Sequence, residues 1–138
     1  MNTKLDISSL IKAIGSLESA LYIYQTFLDA PISERDVIRA GVIQNFEFTY
    51  ELCWKFMKRW IEMNIGHEVV DGVTRRELYR LAAENKLVDE VNKWMEFHGA
   101  RNISSHTYDE DTAKEVVLVA FDFLMYARSF LEQLRGRL

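Results

Sequence analysis

Ile43-Gln44-Asn45-Phe46-Glu47-Phe48-Thr49-Tyr50-Glu51-Leu52-Cys53-Trp54-Lys55-Phe56-Met57-Lys58-Arg59-Trp60 is the run that decides the fold class. Ile43, Phe46, Tyr50, Cys53, Met57 and Trp60 recur at alternating steps of three and four, so they line one face of an α-helix. Phe48, Leu52 and Phe56, at steps of four, line a second. The pattern predicts one long helix from about Glu34 to about Asn64. A helix apolar on two faces is either central in its own bundle or covered on one side by a partner.

The segments on either side have the same period. Upstream, Ile7, Leu10, Ile14, Leu17, Leu21, Tyr24 and Leu28 form a single stripe. Asp6 or Ser8 is placed to cap it, and Pro31 marks its stop. Ser33 with Asp36 resembles a capping pair for the long helix. Downstream, Gly66 to Val73 reads as a loop with an extended piece at His67–Val70, and His67 there as a solvated side chain. Thr74-Arg75-Arg76-Glu77 has the form of a capping box, in which hydroxyl and carboxylate each satisfy a free backbone N–H. A short helix to about Glu84 follows. A further helix from about Leu87 passes Trp94 and His98 and carries Arg101 near its last turn. Asp109, Glu110 and Asp111 then put negative charge where a helix N-terminus favours it. The last helix runs from about Asp109 to Leu134, with Ala113, Val117, Ala120, Leu124, Ala127, Leu131 and Leu134 on a heptad-like seam. Val116, Phe123, Tyr126 and Phe130 form its second apolar face. Four substantial helices and one short one, joined by short connections, predict an all-α, up-down four-helix bundle in one domain over residues 1–138. The double-faced second and last helices predict a homodimer or a hetero-partner.

Composition narrows the function. The 138 residues are 49% hydrophobic and 28% charged, with six Gly and one Pro, which is a globular composition poor in turn formers. A net charge of −4 gives no global drive toward nucleic acid, although a local basic cleft is compatible with it. The single cysteine, Cys53, rules out an internal disulfide and lies within the apolar stripe. No secretory signal and no membrane-spanning run is evident, so a cytoplasmic location is expected. Neither a Gly-rich phosphate loop nor a carboxylate–histidine metal cluster is found, and no cofactor is expected. Glu47 and Glu51, with Lys55 one turn on, read as helix-surface ion pairs. Arg75, Arg76 and Arg80 make the densest basic patch, either a solvated face or a phosphate contact.

Arg101-Asn102-Ile103-Ser104-Ser105-His106-Thr107-Tyr108 stands apart from this apolar scaffold. If the helix persisted, Trp94, His98, Arg101, Ser105 and Tyr108 would share one side, and His106 would lie round the cylinder. Arg101 and His106 therefore serve one site only if the helix ends or bends between them, or if two chains build the site. Together they suit metal-free RNA cleavage. An imidazole can take a proton from a ribose 2′-OH or give one to the leaving oxygen. A guanidinium can hold the phosphate and stabilise its growing charge. Asn102 can orient the phosphate or the histidine, and Ser105, Tyr108 and His98 can line the groove. The same residues also fit a structural role, capping a helix end.

The Arg-x4-His-x-Tyr cluster, with Asn after the Arg, resembles the HEPN superfamily, and more closely the HepT-type proteins paired with minimal nucleotidyltransferases. Gly41 to Lys55 is similar to the most characteristic segment of the nucleotidyltransferase substrate-binding proteins. The resemblance spans about Leu5 to Leu134. It implies a helical bundle that dimerises and brings two Arg/His motifs into one cleft, with metal-independent endoribonuclease activity that is often toxic. It also implies a nucleotidyltransferase partner that binds the toxin and adenylylates the motif tyrosine. On this sequence Arg101 and His106 become catalytic, Asn102 supporting and Tyr108 the modified residue. Two functions remain open: a ribonuclease toxin, or a non-catalytic subunit that docks the nucleotidyltransferase and presents substrate or nucleotide to it.

Overall fold

A computed structural model describes residues 4–138. The described chain is all-α: α1 (Ser8–Thr26), α2 (Ile32–Asn64), α3 (His67–Val70), α4 (Arg75–Glu84), α5 (Val91–Ile103), a 3₁₀ turn (Ser104–His106) and α6 (Glu110–Arg135). The long helices α1, α2, α5 and α6 form the bundle, and the short α4 packs against α2 and α5 at one end.

At 33 residues, α2 is about 50 Å long and serves as the spine that every other α-helix touches. Its expected first stripe is buried: Ile43, Phe46, Tyr50, Cys53 and Met57 are all under one-tenth exposed. Burial also pushes the Cys53 thiol well above its usual range, so it is an inert packing group. The second stripe splits. Phe56 is buried and Leu52 half-buried, but Phe48 stays 60% exposed.

The second face of α6 is internal. Val116, Phe123 and Phe130 are buried, Phe123 against Phe46 and Tyr50 of α2 and Trp94 and Phe97 of α5, and Phe130 against Trp94. The seam residues Ala113, Val117, Ala120 and Ala127 are buried as well. Its two-faced apolarity thus reflects a central place in its own bundle. Trp94 of α5 joins the helices by edge-on packing with Phe97, Phe123 and Phe130 and a tilted contact with Tyr79. Such ring pairs add to the stabilisation from burial itself.

Several expectations change at the ends. The first helix closes at Thr26, before Pro31, so Leu28 lies outside it and is 52% exposed. No side chain caps α2: Ser33 donates to Glu34 instead of accepting a backbone N–H. Residues His67–Val70 are one helical turn, not an extended piece, because Val70 is drawn wholly into the core. The helix bearing Arg101 begins at Val91, since Lys86 takes a left-handed conformation (φ 60°) that ends α4 and sends Leu87 and Val88 inward. The Leu87 N–H returns to the Ala82 carbonyl across that turn.

Thr74 caps α4, its hydroxyl accepting from the Glu77 N–H at 3.2 Å, whereas the reciprocal bond of a full capping box, from the Thr74 N–H to the Glu77 carboxylate, is not made. Thr74→Ala is expected to lower stability by about 1 kcal/mol, read as a shift of the urea midpoint with unchanged slope; no shift would mean that tertiary packing alone fixes this end.

Candidate functional site

The polar cluster begins on the last turn of α5. Asn102 follows Arg101, and the helix tightens into the 3₁₀ turn before α6 starts. The new start is fixed by Asp109, whose carboxylate accepts from the Thr112 N–H (3.3 Å) and hydroxyl (2.8 Å). Glu110 and Asp111 add charge suited to that end. The helix therefore ends between Arg101 and His106, as a shared site requires. Thr107 turns the chain, and Tyr108 emerges 88% exposed. The His106 and Tyr108 rings meet edge-on with centroids 6.2 Å apart. Asn102, Ser105 and His106 are likewise exposed.

Arg101 is anchored. Its Nη1 donates to Glu47 Oε2 at 3.0 Å and to Ser104 Oγ at 3.2 Å, and its Nε lies 3.2 Å from Glu51 Oε1. Ser104, buried at 3%, donates in turn to Glu47. So Glu47 and Glu51 are not a surface pair for Lys55; they are the counter-charges of Arg101, and sequence reading missed them and Ser104. The signal was there. Two carboxylates one turn apart on α2 flank Phe48, an apolar residue that α2 leaves uncovered. Two acids around one guanidinium give this spot a local charge of −1 when all are ionised. Among the described residues, Arg101 Nε is buried beside Glu51 without a hydrogen bond and Nη2 has no hydrogen-bond partner, so the two Nη2 N–H donors are open. They border a shallow groove of about 340 Å³, lined by Gln44, Glu47, Phe48, Glu51, Lys55 and Arg101.

Behind Glu51 lies a further layer. The Trp54 indole N–H donates to Glu51 Oε2 at 2.9 Å, and the Arg75 guanidinium sits 3.4 Å from the Trp54 ring centre. Arg75 is thus stacked and half-buried, whereas Arg76 and Arg80 are exposed. The three arginines do not form one patch.

His98 joins a largely buried polar chain. Its Nδ1 is 2.9 Å from the Tyr50 hydroxyl, which bonds to the Tyr79 hydroxyl. Burial raises both phenols above their ordinary range. Burial first, and the nearby Arg75 charge second, hold His98 below its ordinary 6.5. Folding therefore favours neutral His98, and the unfolded chain binds the proton more readily. This contribution is present above pH 6.5 and is lost as pH falls below it. Urea stability is expected to decline on acidification below that point, and His98→Gln should flatten that part of the profile. An unchanged profile in His98→Gln would assign the decline to other groups.

Among the described residues no cluster of three or more His, Cys, Asp or Glu side chains is placed to hold a metal ion. No described helix is long and apolar enough to cross a membrane.

Comparison with known proteins agrees with this architecture. The family model described as nucleotidyltransferase substrate binding protein like matches residues 5–136. A Haemophilus influenzae protein named probable ribonuclease HepT is 36% identical over 141 residues, covering 99% of this chain and 97% of that protein. A solved Haemophilus influenzae structure, described as the fold of a substrate binding domain of a nucleotidyltransferase, is similar with TM-score 0.90 and 34% identity. That match covers 94% of this chain and 99% of the other. A Thermus thermophilus crystal structure is similar at TM-score 0.68 and 29% identity, covering 93% of this chain and 97% of the other. With its family segment on α2 and its Arg-x4-His-x-Tyr junction after α5, the chain belongs to the HepT-like, nucleotidyltransferase substrate binding protein family.

Proposed function

We propose that the α5–α6 junction is the active site of a metal-independent endoribonuclease, the toxic half of a two-protein module with a minimal nucleotidyltransferase. The observation that carries this reading is the division of the motif. Arg101 is held rigidly with two donors open, while His106 and Tyr108 stand in solvent just beyond the 3₁₀ turn. A homodimer would bring two such motifs together in one cleft.

In the reaction, the scissile phosphate meets the open Nη2 of Arg101. One His106 takes the proton of the ribose 2′-OH, and the 2′ oxygen attacks the adjacent phosphorus. The 5′ oxygen leaves and receives a proton from the partner copy's His106, so the products are a 2′,3′-cyclic phosphate and a 5′-OH end. Asn102 and Ser105 contact the strand. His98 and Arg75 act from behind, as the walls that set Tyr50, Trp54 and Glu51, and Arg76 adds positive charge on α4. The nucleotidyltransferase neutralises the enzyme by docking and by modifying Tyr108. The Tyr108 oxygen attacks the α-phosphorus of ATP, loses its proton and displaces pyrophosphate.

RNA incubated with the protein in chelator is expected to yield fragments with cyclic-phosphate and 5′-OH ends. Cleavage that needs added magnesium would overturn the mechanism. One observation favours a second reading, a non-catalytic subunit that presents substrate to the nucleotidyltransferase: Glu47 and Glu51 already neutralise Arg101. In that case no RNA is cut, expression without the partner does not arrest growth, and a tight complex with the nucleotidyltransferase remains.

A further inference from the structure

A cavity of about 600 Å³ opens where the end of α1, the first turns of α2 and the start of α6 meet. It shares only Tyr108 and Glu110 with the junction described above. Its wall divides by chemistry. Tyr24 and Phe27 supply ring surface, and Arg35, Arg39 and Lys114 supply three cations. The acids in the wall, Asp36 and Glu110, both hold Arg39, at 3.5 and 3.6 Å, and its side chain is only 18% exposed. Among the described residues, Arg35 and Lys114 have no carboxylate within ion-pair distance. In a chain of net charge −4, this hollow therefore gathers three cations against two acids that are already engaged.

The volume lies within the ~300–1,000 Å³ typical of small-molecule sites. Ring surface beside clustered cations matches a nucleotide, which stacks its base on aromatic side chains and gives its phosphate to arginine and lysine. We infer that this cavity binds one nucleoside monophosphate unit, its phosphate toward Arg35, Arg39 and Lys114 and its base against Tyr24 and Phe27. Two sources present that same chemistry at the rim, where Tyr108 stands beside His106. One is the nucleotide next to the scissile phosphate of an RNA strand; the other is a nucleotidyl group carried on the Tyr108 oxygen. The naming of these sources rests on the ribonuclease reading, whereas the pocket's affinity for a nucleotide does not.

Calorimetry with free 5′-AMP and with adenosine tests it. AMP is expected to bind more tightly than adenosine. Arg35→Glu and Lys114→Glu, both at exposed positions where folding is safe, should each weaken AMP by about tenfold or more, as loss of a charge-assisted contact implies. His106→Ala should leave AMP affinity unchanged. If the source is RNA, Lys114→Glu raises KM for cleavage more than it lowers kcat; if it is the Tyr108 adduct, protein nucleotidylated on Tyr108 no longer takes up AMP. Failure to bind AMP at millimolar concentration, or equal binding by the charge-reversed variants, overturns the inference. AMP binding without any RNA cleavage would remove the ribonuclease reading and leave the pocket standing.

Discussion

Trp94→Ala is expected to lower the unfolding free energy by about 3–5 kcal/mol, the range seen when a large buried aromatic is truncated. The side chain is 1% exposed and touches rings from three helices: Tyr79 of α4, Phe97 of its own α5, and Phe123 and Phe130 of α6. None of these neighbours can move into the space alone, since each is itself fully buried. The lost contacts therefore add to the lost transfer energy. Against a total stability of about 5–15 kcal/mol for a domain of this kind, the variant keeps only a part of its margin. Urea unfolding followed by far-UV circular dichroism measures it. Trp94→Phe, which keeps one ring, should lose clearly less. A loss below about 1 kcal/mol for Trp94→Ala would mean that α5 is not anchored through this residue. The effect matters for function because Arg101 lies two turns further along the same helix.

Much of this arrangement could be read from spacing alone. The α2 stripe and the α6 seam recur at the helical period and are buried apart from Trp60 and Leu124, which are half-buried. What periodicity cannot say is which apolar face meets a neighbour of the same chain. The Val116–Phe123–Phe130 face of α6 looked available to a partner, but it is buried within the same chain, with rings of α2 and α5 packed on Phe123 and Phe130. Phe48 looked equivalent to Phe56, yet only Phe48 remains open, because the two lie on different turns of a long spine.

The site was legible in part. The helix end between Arg101 and His106 followed from the acidic run that starts α6, a local signal. The carboxylates that grip Arg101 lie 54 and 50 residues away on α2, and nothing local to either stretch joins them. Their spacing fitted Lys55 equally well. Arg75 was misread for the same reason: its stacking on Trp54 is a tertiary contact between α4 and α2. His67–Val70 went wrong in the opposite sense, since four residues are too few to show a period and burial of Val70 decided their conformation.

Loss of His106 should have the largest effect on activity. The side chain is exposed on the 3₁₀ turn, so removing it deletes little packing, and a change in stability within about 0.5 kcal/mol is expected. If it moves a proton in the rate-limiting step, one general acid–base group contributes ~10²–10⁴-fold. That corresponds to about 2.7–5.4 kcal/mol of barrier, far beyond the stability change. The separation between the two readouts identifies a chemical role, because a structural residue would move both.

The most direct measurement compares wild type and His106→Ala, purified side by side, for RNA cleavage in chelator, with thermal melts to show that both are folded. Wild-type cleavage is expected to survive the chelator and to fall at least about a hundredfold in the variant at an unchanged melting temperature. Equal cleavage by both proteins, or wild-type cleavage that the chelator abolishes, would contradict the ribonuclease reading.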